Sequence, residues 1–295
     1  MFLLVGYLFG LISVFGAYAG MGGHMGALYQ PLELLLIAGS ALGAFVASNN
    51  QKSFILIKDA LPKLFRRAPY DKALYLEMMA CLYTILNKAK REGVMKIEGD
   101  IEDPENSQIF KQYKQISDDK RLLDFIIDYL RLMISGKMSP FEIETLMDEE
   151  IETYKHESKV PSKAFRAVGD GMPAFGIVAA VLGVIKALAA VDQPPEILAD
   201  LISKAMVGTF LGILIAYLIM FPMSDALERR ASESSKALET IKVTLLAFMN
   251  NYPPQIAVEF GRKVLYSAVR PSFVELEAHI QKNKAASRSD KAESA

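Results

Sequence analysis

Four stretches of the chain run almost wholly apolar, and they come in two pairs: residues 2–19 and 31–49, then 171–191 and 205–224. A helix rises about 1.5 Å per residue, so roughly 20 residues cross the ~30 Å of hydrocarbon in a bilayer. Each stretch therefore predicts a transmembrane helix. Glu33 stands at the start of the second, where a helix N-terminus and the headgroup region both tolerate a carboxylate. Lys186 stands near an end of the third, close enough to the interface to snorkel. The stretch at 2–19 lacks the basic start and cleavage site of a secretory signal and reads as a retained span.

Elsewhere the apolar residues recur at helical spacing. Asp71 caps a predicted helix whose Leu74, Met78, Leu82, Ile85 and Leu86 form one stripe ending at Gly93. A second helix is predicted from about Asp119 to Ile134, lined by Leu122, Ile126, Leu130 and Met133 and stopped by Gly136. Asp124, Asp128 and Arg131 interrupt it too often for a span. Ser139-Pro140-Phe141-Glu142 joins a capping box to a proline at the first helical position. The helix it opens buries Ile143, Met147, Ile151 and Tyr154. It turns out Glu142, Glu144, Asp148, Glu149, Glu150 and Glu152, which read either as a solvated face or as a docking surface for a basic partner. After the fourth span an amphipathic helix is predicted from Asp225 to about Phe248, broken by Asn250-Asn251-Tyr252-Pro253-Pro254. Ser272-x-x-Glu275 is another capping box, and residues 283–295 read as a disordered tail.

Composition supports this division. Of 295 residues 52% are apolar, and 33 Lys and Arg meet 34 Asp and Glu for a net charge of −1. Residues 1–51 hold one formal charge, Glu33, and 205–224 hold none, so the near-neutral total joins two kinds of segment suited to two solvents. No basic excess points to nucleic acid. The single Cys81 cannot form an intrachain disulfide and suits a reducing compartment. The fold class is an all-α membrane protein, divided into spans at 1–51, a helical loop domain at 52–170, spans at 171–224, C-terminal helices at 225–282 and the tail.

Lys52, Lys58, Lys63, Arg66 and Arg67 follow the second span, Lys163 and Arg166 precede the third, and Arg229 and Arg230 follow the fourth. The loop between the first two has none. By the positive-inside rule both termini and 52–170 face the cytoplasm. Gly6-x3-Gly10, Gly39-x3-Gly43 and Gly208-x3-Gly212 place small residues one turn apart in three spans, a pattern that predicts tight bundling or oligomerisation in the bilayer.

The sequence has no phosphate loop, metal-ligand spacing or nucleophile elbow, and His24, His156 and His279 are scattered, so no enzyme is expected. No carboxylate lies near mid-membrane, although a proton relay calls for one. An ion carried here needs that group from another chain. Pro173 opens the third predicted span and Pro222 closes the fourth. Each reads as a plain helix boundary or as half of a hinge pair. Thr209 and Tyr217 are the polar groups of the fourth span, and such hydroxyls bond more often to a neighbouring helix than to an ion.

Several longer runs resemble the MotA family of flagellar motor stator subunits, proton-driven type. They include Gly26-Ala27-Leu28-Tyr29-Gln30-Pro31, Leu64-Phe65-Arg66-Arg67, Asp128-Tyr129-Leu130-Arg131-Leu132, Met147-Asp148-Glu149-Glu150-Ile151-Glu152-Thr153, Pro173-Ala174-Phe175-Gly176-Ile177, Ala205-Met206-Val207-Gly208-Thr209-Phe210 and Ala257-Val258-Glu259-Phe260-Gly261-Arg262-Lys263. The resemblance implies a multi-pass protein of the bacterial inner membrane. It implies a pentamer around a dimer of MotB, which supplies the intramembrane Asp, with H+ as the coupling ion and no cofactor. It implies that Pro173 and Pro222 are the family's functional prolines and that the loop's charges, Glu150 among them, meet the rotor protein FliG. Glu98 matches the acidic rotor-facing residue. The family's rotor-facing arginine falls on Lys90, beside Arg91, so the charge is kept with another shape. Ala180 with Thr209 matches the proton-driven pattern, where sodium-driven relatives carry a second Thr. Two other readings stay open: a TolQ or ExbB type energiser, which usually has three spans, and a membrane scaffold that conducts nothing.

Overall fold

The computed structural model describes residues 2–65 and 70–293, with side chains as far as Asn283. In chain order the helices are α1 (Phe2–Gly20), α2 (Met25–Leu28), α3 (Pro31–Ser48), α4 (Gln51–Leu64), α5 (Lys72–Glu92), α6 (Glu98–Glu102), α7 (Gln108–Gln112), α8 (Lys114–Asp118) and α9 (Lys120–Ser135). There follow α10 (Pro140–Ser158), α11 (Val160–Leu188), α12 (Pro195–Leu214), a π-helical turn at Ile215–Met220, α13 (Phe221–Met249), α14 (Pro254–Val264) and α15 (Phe273–Glu293). Among the described residues all regular structure is helical, as expected of an all-α chain. Two compact units form, one from Met1–Arg67 and His156–Ala231, the other from Ala68–Lys155 and Ser232–Ala295. Residues 52–65 and 156–170 thus group with the spans. Arg66 and Arg67 lie outside the described residues, as do the side chains of the expected tail beyond Asn283.

The first unit contains four helices long and apolar enough to cross a membrane. None of the residues of α1 is buried within the chain. Phe2, Leu8, Phe9 and Ile12 on α1, and Leu32, Leu35, Leu42 and Val46 on α3, are exposed. In water that surface would be unfavourable by about 25 cal/mol per Å². In hydrocarbon it meets a matching solvent, while each helix satisfies its own backbone.

The expected bounds hold for α1 and α3 and change for the other two spans. Pro173 does not open a helix: α11 begins at Val160 and runs through it. Pro222 does not close one: the π turn follows α12 directly and α13 continues to Met249. A proline inside a helix removes one N–H and crowds the carbonyl four residues back. At Pro173 that residue is Gly169, which has no side chain to add to the crowding. Before Pro222 the π turn inserts an extra residue into the ladder, a local adjustment that lets a helix pass a proline.

α11 and α12 pack antiparallel at backbone distance. A Cβ on Gly176 would lie 2.9 Å from the Gly208 carbonyl oxygen, one on Gly212 would lie 2.7 Å from that of Met172, and one on Gly183 would lie 2.6 Å from the Ala205 Cβ. The Gly208-x3-Gly212 pattern therefore serves contact within the chain. Gly6, Gly39 and Gly43 would gain a Cβ with nothing within 4 Å.

The second unit is organised around α5. Asp71 Oδ1 accepts from the N–H groups of Ala73 and Leu74, and Gly93 ends the helix at φ +98°. All five residues of the expected stripe are buried, but so are Tyr75, Met79, Ala80 and Cys81, so the helix is enclosed on most sides. Burial pushes the Cys81 thiol pKa well above its usual value. α9 packs Leu122, Phe125, Ile126 and Leu130 into the same core and ends on Gly136 in the left-handed conformation. The Ser139 box forms as predicted: its N–H donates to Glu142 Oε2 at 2.7 Å and Glu142 N–H returns to Ser139 Oγ at 3.3 Å. The Ser272 box does the same with Glu275. α14 sits so close to α13 that a Cβ on Gly261 would meet Thr244 Oγ1 at 2.1 Å. Arg262, nearly buried, pairs with Glu259 and donates to the Pro271 carbonyl at 2.8 Å, fixing the segment before α15.

Gly212→Val places branched carbon against the Met172 backbone, which cannot rotate away as a side chain can. It should destabilise the span unit toward the upper end of the ~1–3 kcal/mol typical of overpacking, read as a lower thermal unfolding temperature in detergent.

Candidate functional site

The first group of sequence-predicted residues comes together along α11 and α12. Ala180 on α11 and Thr209 on α12 line one open groove of about 400 Å³, with Val184, Ala205, Met206 and Ile213. The Thr209 hydroxyl is the one polar side-chain group in its lining. The close approach of α11 to α12 at Gly176, Gly208 and Gly212 lies beside this groove and holds its two walls together. Tyr217, on the π turn, is exposed and packs edge-on against Phe221, ring centroids 5.0 Å apart.

The turns that hold the two prolines abut. Gly169, whose carbonyl Pro173 crowds, lies against the Phe221 ring, next to Pro222: a Cβ there would be 2.7 Å from Phe221 Cε1. The start of α13 is tied to α11 by the buried Ser224 hydroxyl, which donates to the Ser162 carbonyl at 2.8 Å, and by Arg166 paired to Asp225 at 3.2 Å. Arg166 also lies over the Phe221 ring at 5.7 Å. Sequence reasoning missed these ties, since the residues are about 60 positions apart and no local pattern marks them.

The second group lies in the other unit. Lys90 and Arg91 occupy the last turn of α5, and Glu98 opens α6 after a 3-10 turn at Val94–Ile97; all three are exposed. Three residues without a marked role in the sequence, Lys88, Asp100 and Ser107, hold this edge. Asp100, almost buried, pairs with Lys88 Nζ at 2.6 Å and accepts from Ser107 Oγ at 2.6 Å. Ser107 in turn caps α7 through Ile109 and Phe110 N–H. Burying a carboxylate is costly unless it is paired and fully hydrogen-bonded, so this network fixes where the chain turns after α5. The cap signal at Ser107 was readable in the sequence, but the partner was not.

Glu150 stands apart from Lys90, Arg91 and Glu98. It is on α10, and its Oε2 accepts the Tyr129 hydroxyl at 2.7 Å. Burial and then the Glu150 carboxylate push the Tyr129 pKa up, keeping the phenol a donor. The acidic face of α10 is exposed, and part of it is paired within the chain: Lys242 meets Asp148 at 2.7 Å and Glu144 at 3.8 Å, while Glu142 is engaged in its cap. Among the described residues no cluster of three or more His, Cys, Asp or Glu could hold a metal ion.

Comparison with known proteins agrees with this architecture. The model for the N-terminal part of motility protein A matches residues 4–93, and that of the MotA/TolQ/ExbB proton channel family matches 117–240. Motility protein A of Salmonella typhimurium is 52% identical over 95% of both chains, and that of Escherichia coli is 53% identical over the same share. A MotAB structure from C. jejuni matches at 21% identity with a TM-score of 0.74, covering 92% of this chain and 98% of the other. With close packing of α11 on α12, two prolines inside long helices and relatives over half identical along nearly the whole length, the chain belongs to the MotA family of motility proteins.

Proposed function

We propose that this chain is the wall-forming subunit of a proton-driven flagellar stator. It assembles as a pentamer around a dimer of the one-span partner MotB and turns ion flow into torque on the rotor protein FliG. The observation that carries this reading is the apolar α11–α12 groove with Thr209 as its single polar side chain, set in the same helices as two interior prolines. Such a wall guides an ion and does not bind it, so the titrating Asp belongs to the partner helix. When that Asp takes up or loses a proton, its packing against the wall changes, and the prolines let α11 and α13 follow. α13 is a single helix from Phe221 to Met249, so displacement beside Pro222 passes along it.

The choice of H+ rests on Ala180 facing the same groove as Thr209. A sodium ion stripped of water needs several oxygen ligands. One hydroxyl beside a methyl group supplies too few, and a proton on a carboxylate needs none. The flanking Lys and Arg residues favour both termini facing the cytoplasm of a bacterial inner-membrane protein, where Lys90, Arg91, Glu98 and Glu150 meet the rotor. The match of residues 4–93 to the motility protein A model, and the four candidate spans, stand against a TolQ or ExbB type energiser.

Expression of this chain with a one-span partner carrying an intramembrane Asp should restore swimming to a strain lacking its own stator subunit. That swimming should persist when the sodium gradient is collapsed and stop when the proton gradient is. Restored swimming that needs sodium refutes the ion assignment, and absence of both swimming and proton uptake favours a scaffold.

Pro173→Ala and Pro222→Ala each return an N–H to the ladder and stiffen the turn. Near-complete loss of swimming is expected, with wild-type amounts in the membrane on immunoblots. Normal motility in both variants sinks the hinge.

Glu98→Lys or Lys90→Glu should lower torque measured on tethered cells, and an opposite reversal on the rotor should recover part of it. Absence of rescue by any rotor reversal rules out direct pairing.

A further inference from the structure

α1 touches the rest of its unit at few places, and two of them are adjacent on one face. The Tyr7 hydroxyl donates to the Ile219 carbonyl at 2.9 Å. One turn along, Gly10 leaves room for the neighbouring Leu218: a Cβ at Gly10 would lie 2.3 Å from Leu218 Cδ1. Leu218 and Ile219 both belong to the π turn at Ile215–Met220, which ends one residue before Phe221 and two before Pro222. The π turn and Pro222 together disturb the helix ladder where, in lipid, no water can satisfy a carbonyl left over. Pro222 takes the partner from the Leu218 carbonyl, four residues back, and Tyr7 brings a donor from another helix to the next carbonyl along, that of Ile219.

The π turn also sets a rotational register. Upstream of it, α12 presents Thr209 to the groove; downstream, α13 starts at the Ser162 and Arg166 ties. One residue of an α-helix turns through about 100°, so gain or loss of the extra residue re-aims one side of the turn against the other by roughly that angle. A hydrogen bond at Ile219 and a side chain seated on Gly10 fix where the extra residue sits.

We propose that Tyr7 is a positioning residue: its hydroxyl holds the π turn before Pro222, and so holds the register between the groove-lining part of α12 and the start of α13. The proposal rests on the reading of Pro222 as a moving joint and adds α1 as the part that limits its motion.

The test uses the full chain co-purified with its one-span partner. Tyr7→Phe removes one oxygen atom and leaves the ring. Amide exchange over residues 215–224 should become roughly fivefold faster, the effect of losing about one hydrogen bond. Tyr18→Phe, on the same helix, should leave it unchanged. Thermal unfolding supplies a second readout: Tyr7→Phe should lower the midpoint with Pro222 present and have little effect in the Pro222→Ala background, where the restored N–H lets the turn relax to α-helix. Unchanged exchange in Tyr7→Phe, an equal change in Tyr18→Phe, or equal losses of midpoint in both backgrounds overturns the clamp. With exchange faster, reduced swimming of Tyr7→Phe at normal membrane levels is expected, and unaltered swimming overturns the positioning role. These exchange and unfolding measurements do not depend on motility, so normal swimming of Pro222→Ala beside a confirmed clamp counts against the joint and not against Tyr7.

Discussion

Where α11 meets α12, glycine and alanine take the place of larger side chains. Gly176, Gly208 and Gly212 bring one backbone against the other, and a single added carbon at any of them would fall within 3.0 Å of a neighbouring atom. Lipid supplies no hydrophobic force to press helices together, so this pair is held by dispersion over closely matched surfaces, which only small residues permit. The rest of the unit inherits its geometry from that contact. Ala180 and Thr209 share one groove beside it, and Gly169 and the turn of Pro173 lie against Phe221, beside Pro222. The glycine contacts and the two prolines thus occupy different stretches of the same helix pair.

What the sequence disclosed follows the range of the interactions. The caps at Asp71, Ser139 and Ser272, the stop at Gly136 and the first two spans depend on residues a few positions apart, and all formed as the local pattern required. The prolines read either as boundaries or as hinges, and the helices run through both. At Pro173 the glycine four residues earlier adds no side chain to the crowding, and at Pro222 a π turn adjusts the ladder, features that no spacing of apolar residues reveals. The Gly208-x3-Gly212 pattern correctly announced a close approach but not its partner. The tie of Tyr7 to Ile219 spans 212 positions and left no trace in either segment alone.

The charged unit shows the same division. Lys90, Arg91 and Glu98 are exposed, as surface charges should be, and a resemblance to relatives singled them out. Their placement depends on Lys88, Asp100 and Ser107, a half-buried polar network whose members lie up to 19 positions apart. The acidic face of α10 looked uniform in sequence. The fold divides it, giving Asp148 and Glu144 to Lys242, Glu150 to Tyr129 and Glu142 to its own helix start. Charge density alone therefore did not show which of these exposed carboxylates are paired within the chain.

The burial of Cys81 bears on how motion in this protein could be watched. The residue has no exposed surface, and burial keeps its thiol in the protonated form, so the reactive thiolate is scarce and out of reach. To a water-borne maleimide the folded chain is in effect thiol-free. A single cysteine placed at an exposed site such as Tyr252 would then take a fluorophore or spin label selectively, with no need to replace Cys81 and disturb the core around α5.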